Sequence, residues 1–308
     1  MSDSANSVSK MVGLEVSNSA FKAVLLDSDG KILSANKVLI DKSQPINDQL
    51  ISFINDLKEK FGNFEKLGVA VPGLVRRQTK RVAFSTYIPE HSEVDLLGQL
   101  AEATGLKVAI ENDANAAAYG EFRLGAGRGS RDMFYATLGT GVGGAFIFNE
   151  QIWHGTSGFA GEFGYLAINS EGMKLEDVAS AQNIVRRTRS RYHQDSTTSL
   201  SQFEEERISL RDIINEAVHE DDFAQMMLQR TGAYVGTAIA GVINLLNIER
   251  IVVGGEIMEA KHIVLEAIIE RAKELAFAPS FETVRIVEGE LDENAASIGA
   301  ALLASEGE

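Results

Sequence analysis

Val108-Ala109-Ile110-Glu111-Asn112-Asp113-Ala114-Asn115-Ala116-Ala117-Ala118-Tyr119-Gly120-Glu121 joins two kinds of sequence. Val108 to Ile110 is a short apolar run that favours a strand, whereas the alanines from Ala114 to Ala118 favour a helix. Three polar residues, Glu111, Asn112 and Asp113, lie between them. The trio is therefore expected at a strand-to-helix junction, with Asp113 as an N-cap or first-turn carboxylate. In open α/β sheets, ligands gather at the carboxyl ends of strands, where this junction falls. A plain capping role accounts for Asp113 equally well on this segment alone.

Outward from the junction, apolar runs and turn signals alternate. Met11–Val16, Ala20–Leu26 and Lys31–Ile40 read as strands, the last two separated by the hairpin signal Asp27-Ser28-Asp29-Gly30. Ile46–Phe61 has apolar residues at 50, 51, 54 and 57, a helical period. Leu67–Val71 is a strand stopped by Pro72-Gly73, and Leu96–Thr104 a helix with Gly105 at its C′ position. A second round follows Gly129. Strands are expected at Asp132–Leu138 and Gly144–Asn149, then helices from Lys174 to about His219, with a polar break at Gln194–Ser201. A long helix is expected over Asp222–Leu246, a strand over Ile251–Val253, a helix over Ile263–Leu275, a strand over Val284–Val287 and a closing helix over Ala295–Ala304. The small residues along 222–246 suit either an interface or the core. The two halves share a plan, so a duplicated α/β fold with a cleft between its domains is expected. The boundaries read as 1–118 plus 294–308 for the smaller domain and 119–293 for the larger.

Composition narrows the partners. The 308 residues carry 29 basic and 44 acidic side chains, a net charge of −15, which argues against nucleic acid. The cluster Arg76, Arg77, Lys80 and Arg81 reads as a solvated basic loop. No apolar run is long enough to span a membrane. The start, MSDSANSVSK, lacks an apolar core and reads as a frayed leader, which points to the cytoplasm. Without cysteine there is no thiolate metal site, and the five histidines are not paired at zinc-ligand spacing.

Three turns are candidates for phosphate contact. The strongest is Thr137-Leu138-Gly139-Thr140-Gly141-Val142-Gly143-Gly144, whose glycines can form an anion-binding nest and whose threonines add hydroxyls. A tight hairpin accounts for it as well. The others are Gly254-Gly255, after a buried strand, and the first hairpin, Glu15-Val16-Ser17-Asn18-Ser19. Gly158 to Tyr165 (GFAGEFGY) suggests a tight polar pocket wall around Glu162 and Tyr165, and Glu176 follows at a helix start. Carboxylates and an Asn-Asp pair on separate segments suit a polyol, whose every hydroxyl needs an acceptor. Taken singly, Glu162 and Glu176 also read as surface charge and helix capping.

Four motifs in order resemble the ROK family of sugar kinases and sugar-responsive repressors: Leu67-Gly68-Val69-Ala70-Val71-Pro72-Gly73, Glu111-Asn112-Asp113-Ala114-Asn115, Gly139 to Gly144, and Ala160 to Tyr165. The resemblance runs from residue 11 over nearly the whole chain. It implies an α/β fold of the actin-like ATPase (ribonuclease H-like) type, ATP and Mg²⁺ as cofactors, a glucose-like hexose as partner, and a homodimer. It implies Asp113 as catalytic base and Gly73, Asn112, Asp113, Glu162, Tyr165 and Glu176 as sugar contacts. Ser17, Ser19, Thr137, Gly139, Thr140, Gly141, Gly143, Gly254 and Gly255 match its nucleotide elements, with Glu15 as the carboxylate for magnesium. Tyr165 stands where the family usually has a histidine, and the zinc-binding cysteine motif is missing, so no zinc is expected. The family's first phosphate loop is typically Asp-Ile-Gly-Gly-Thr-Lys; here Glu15 to Ala20 lack both glycines and the lysine. Three readings are open: an ATP-dependent hexose kinase acting at the C6 hydroxyl, a sugar sensor that has lost phosphoryl transfer, and a scaffold of this fold, against which the retained Asn112, Asp113 and Glu162 weigh.

Overall fold

The computed structural model describes residues 10–260 and 262–307. Most of the leader expected at residues 1–10 lies outside the described residues. The chain divides into two compact units. One comprises the chain up to Gly125, Ile152–Ala160 and Glu293 onward. The other comprises Ala126–Gln151 and Gly161–Asp292.

In chain order, the first half contains β1 (Met11–Val16), β2 (Ala20–Leu26), β3 (Ile32–Leu39), α1 (Ile46–Phe61), β4 (Lys66–Val71), β5 (Leu74–Arg76) and β6 (Arg81–Phe84). It continues with α2 (Leu96–Thr104), β7 (Lys107–Asn112) and α3 (Asp113–Leu124). The second half contains β8 (Met133–Leu138), β9 (Val142–Phe148), β10 (Gln151–Ile152), α4 (Glu176–Ala179), α5 (Ala181–Arg189), α6 (Leu210–Val218) and α7 (Asp222–Leu246). β11 (Arg250–Gly254), α8 (His262–Leu275), α9 (Ala278–Thr283), β12 (Arg285–Glu288) and α10 (Ala295–Glu306) complete it.

The sheet of the first unit has the order β3-β2-β1-β4-β7. β1 runs antiparallel to β2 and parallel to β4, and β4 runs parallel to β7. Side chains alternate across a strand, so Val12, Leu14 and Val16 point to one face. There they join Leu50, Phe53, Ile54 and Leu57 of α1 and Leu96 and Leu100 of α2 in one apolar cluster. The other face is covered by α10, which is buried from Ala295 to Ala304. Such a helix, apolar all round, belongs in a core. Its approach dictates Gly68, where a Cβ would lie 1.8 Å from the Ala300 carbonyl oxygen.

The second unit repeats the plan with the order β10-β9-β8-β11-β12, an antiparallel hairpin followed by parallel strands. The expected duplication is thus present. Its core gathers Phe134, Ala136 and Leu138 of β8 with Ile251 and Val253 of β11 and the apolar faces of α6, α7 and α8. Of the small residues on α7, Gly232 and Gly236 face α8.

The structure sharpens three local readings. The basic cluster at 76–81 is solvated as expected, with 77–80 an exposed turn, but its ends are ordered: Arg76 pairs with Arg81 in a short hairpin. Its three- and four-residue strands are too short to show a period. The glycine turn is the tight hairpin weighed for it, but β9 starts at Val142 rather than Gly144: Val142 pairs with Leu138, and Gly143 is already in the ladder opposite Thr137. Of the two positions expected for Asp113, the structure takes the second: Asn112 caps α3, and Asp113 is a first-turn carboxylate.

Candidate functional site

β7 delivers the polar trio to the carboxyl edge of the first sheet, where α3 begins at once. Asn112 Oδ1 accepts from Asn115 N–H at 3.0 Å, which satisfies one orphan donor of the helix. Asn112 Nδ2 donates to the Gly73 carbonyl and to Asp113 Oδ1, each at 3.0 Å. Gly73, Asn112 and Asp113, expected together from sequence, therefore stand together. Asp113 Oδ1 also accepts from Ala114 N–H at 2.9 Å. A carboxylate has about four lone-pair sites, so capacity remains for an incoming hydroxyl.

Glu111 is held from three sides. Its Oε1 accepts from Asn112 N–H at 2.8 Å and Asn115 Nδ2 at 3.0 Å, and its Oε2 meets His154 Nε2 at 2.8 Å. Burial pushes the Glu111 carboxyl up. The His154 hydrogen bond and charge, with the Asn115 and Asn112 donors, outweigh it and hold the group below its ordinary value. Asp113, two residues on, goes the other way. Burial first, and the nearby Glu15 charge second, push it up to about 7, against the lowering by Ala114 and Asn112 donors. Two neighbouring carboxyls are thus driven apart: Glu111 is held on the ionised side, and Asp113 is shifted into the range in which a general base is effective.

Glu15, near the end of β1, is raised by burial, partly offset by Lys22. Lys22 Nζ lies 3.6 Å from Glu15 Oε2. The following loop closes on itself: Ser17 N–H and Oγ donate to the Ala20 carbonyl at 2.9 and 2.8 Å, and Ala20 N–H returns to Ser17 Oγ at 3.0 Å. Ser19 N–H also reaches Ser17 Oγ, at 3.4 Å.

The remaining expected residues belong to the second unit. Thr137 ends β8, and Gly139 N–H bonds the Gly141 carbonyl at 2.9 Å across Thr140. Glu176 supports this turn, its Oε2 accepting from Val142 N–H at 2.9 Å, while Ala181 N–H holds the Gly139 carbonyl at 2.8 Å. Burial, and then the Glu176 charge, raise Glu162. Tyr165 is 60% exposed, with Lys174 Nζ 3.9 Å above its ring. Gly254 ends β11. Gly255 adopts φ +95°, and a Cβ there would lie 2.4 Å from the Leu138 carbonyl oxygen, so only glycine fits this junction of β11 with β8.

Two residues escaped the sequence reading. The hairpin register pairs Glu15 with Lys22, so counting back from the 17–19 turn would have found that lysine. Nothing local marks His154, which reaches Glu111 from 43 residues away.

Among the described residues, no group of three or more His, Asp or Glu side chains could hold a metal. Mg²⁺ asks for less, because it binds through one or two carboxylates while water and substrate phosphates fill its shell. Glu15, buried and within electrostatic reach of Asp113, has the donor chemistry for that arrangement. No helix among the described residues is long and apolar enough to cross a membrane.

The ROK family model matches residues 11–307. A glucokinase of Thermotoga maritima is 30% identical, covering 96% of this chain and 98% of that one. The xylose repressor of Bacillus subtilis is 27% identical over 94% of this chain and 75% of the repressor. Among solved structures, a ROK family glucokinase from Streptomyces griseus in complex with glucose and AMPPNP superposes with a TM-score of 0.86. That pair is 26% identical, with 97% of this chain and 100% of the other covered. The actin-like architecture, the ordered motifs and the match over nearly the whole sequence agree: this chain belongs to the ROK family.

Proposed function

We propose that the protein is an ATP-dependent hexose kinase that phosphorylates a glucose-like sugar at its C6 hydroxyl. The observation that carries this reading is the contrast between ionised Glu111 and Asp113, whose carboxyl is pushed up to about 7. A base with a pKa near the working pH is the most effective one, worth about 10²–10⁴ in rate. The similarity to glucokinases supports the substrate class.

In the step proposed, the sugar oxygen bonds to the γ-phosphorus while the bond from that phosphorus to the bridging oxygen of ADP breaks. The hydroxyl proton passes to Asp113, and ADP leaves with the electron pair. Asn112, fixed by Gly73 and Asp113, orients the sugar, and Glu162, Tyr165 and Glu176 supply further hydroxyl contacts. The glycine turn from Gly139 to Gly143, with Thr137 and Thr140, holds phosphate, and Gly254-Gly255 meets the adenosine. Glu15 would hold Mg²⁺, which when bound neutralises charge on the phosphates. Phosphoryl transfer depends on this positioning and neutralisation more than on covalent chemistry.

One observation favours a second reading, a sugar sensor without transfer. The loop after β1 spends the N–H groups of Ser17, Ser19 and Ala20 within its own turn. A coupled ADP-release assay over a panel of hexoses, with calorimetry of sugar and Mg-ATP, separates the two. The kinase releases ADP with at least one hexose; a sensor binds sugar and releases none.

A further inference from the structure

The loop from Ser17 to Ala20 stands at the carboxyl end of β1, where the first unit would meet a phosphate. It has little to offer one. Three of its N–H groups bond inside the turn, and its residues, Ser-Asn-Ser-Ala, carry no charge. Glu15, which precedes it on β1, is acidic, and its charge reaches Asp113. A phosphoryl group with charge on three oxygens calls for positive charge from the protein in addition to the Mg²⁺ that Glu15 would hold.

One lysine is built into that place. Cross-strand pairing sets Lys22 of β2 directly opposite Glu15 of β1, so the two side chains share a face of the sheet. The Lys22 ammonium lies 3.6 Å from Glu15 Oε2 and 3.6 Å from Glu293 Oε2, and its side chain is only 19% exposed. Lys37 also reaches Glu293, at 3.1 Å, but is 53% exposed and lies one strand further from β1. An outlying charge pair explains Lys37. Lys22 differs, because its inner partner, Glu15, is largely buried and its charge acts on the proposed base.

Resting on the phosphotransfer reading, we propose that Lys22 is a further catalytic residue: its ammonium contacts the phosphoryl group as it passes to the sugar. It supplies the positive charge that the loop lacks. Lys22 makes and breaks no covalent bond and keeps its protons throughout. The bonds exchanged are those between the γ-phosphorus, the sugar oxygen and the ADP oxygen, and the hydroxyl proton goes to Asp113.

The test compares wild type with Lys22→Met, Lys22→Arg and Lys37→Met in steady-state ADP release. Hexose affinity by calorimetry and thermal unfolding serve as controls. Removing one preorganised charge from a phosphoryl site lowers kcat by roughly 10²-fold. Lys22→Met is expected to show that loss with hexose affinity within threefold of wild type. Lys22→Arg, which keeps the charge, retains at least about a tenth of kcat, and Lys37→Met matches wild type. Turnover of Lys22→Met within threefold of wild type overturns the proposal. Equal losses in Lys22→Met and Lys37→Met, accompanied by lower melting temperatures, overturn it also. If wild type itself releases no ADP with any hexose, the kinase reading falls, and the catalytic part of Lys22 falls with it.

Discussion

His154 Nε2 stands 2.8 Å from Glu111 Oε2, and the two side chains are only 16% and 12% exposed. His154 lies in Ile152–Ala160, the middle segment of the first unit, and this contact ties that segment to the β7–α3 junction. Ser157 and Thr156 fasten the same segment through their carbonyls, to Arg77 N–H and Gln78 Nε2 at 3.3 and 3.2 Å.

The contact predicts a stability effect that depends on hydrogen-bonding capacity. His154→Ala leaves a buried carboxylate oxygen without its donor, which costs about 1–3 kcal/mol. His154→Gln, which keeps a donor of similar reach, recovers most of that loss. Urea denaturation of the three proteins measures the difference, and equal stability of His154→Ala and wild type contradicts the role.

Catalysis by Asp113 predicts a pH profile. The carboxyl must be ionised to accept a proton, so kcat/KM for the hexose falls about tenfold per pH unit below a midpoint of about 7. A limb with its midpoint near 4, the ordinary range for Asp, contradicts the assignment.

The same group predicts a pH-dependent stability gap of defined sign. Asp113 holds its proton more tightly when folded than when unfolded, so wild type loses stability as pH rises from about 4 to about 7. Asp113→Asn removes that loss. The mutant therefore gains on wild type across this window, by ~1–2 kcal/mol once solvent screening is allowed for, and the gap levels off above it. Thermal unfolding at pH 5 and pH 8 measures it, and a gap that shrinks toward pH 8 has the wrong sign.

Two glycines predict opposite outcomes for one substitution. Gly68→Ala drives a Cβ against the Ala300 carbonyl oxygen and destabilises by ~3 kcal/mol or more. Gly241, exposed on α7 with open space around its Cβ position, gains about 0.5–1 kcal/mol on becoming alanine. Denaturant midpoints of the two variants decide both.

Much of the fold was legible because its elements obey local rules. α1, α2 and α7 have the bounds expected for them, α1 from its apolar period, and Gly105 adopts the left-handed φ of +69° foreseen for a C′ glycine. The Asp27–Gly30 turn forms as read, with Asp27 Oδ1 accepting from Asp29 and Lys31 N–H. Failures came where tertiary pairing decides. The β5–β6 hairpin is too short for periodicity. The tight hairpin at 139–141 was among the readings, but the start of β9 at Val142 is set by ladder pairs that a glycine-rich string does not announce. At the site, the Asn112-Asp113 pair was visible because it lies within one segment. The support of Glu111 by His154 was not, since loop closure over 43 residues leaves no local trace.

The central claim is that Asp113 takes the proton in phosphoryl transfer. The most direct measurement is single-turnover ADP formation at pH 8 for wild type and Asp113→Asn, with the hexose affinity of each measured in parallel by calorimetry. The account predicts a fall of at least about 10²-fold in the chemical rate with sugar affinity nearly unchanged. An Asp113→Asn protein that forms ADP as fast as wild type would contradict it.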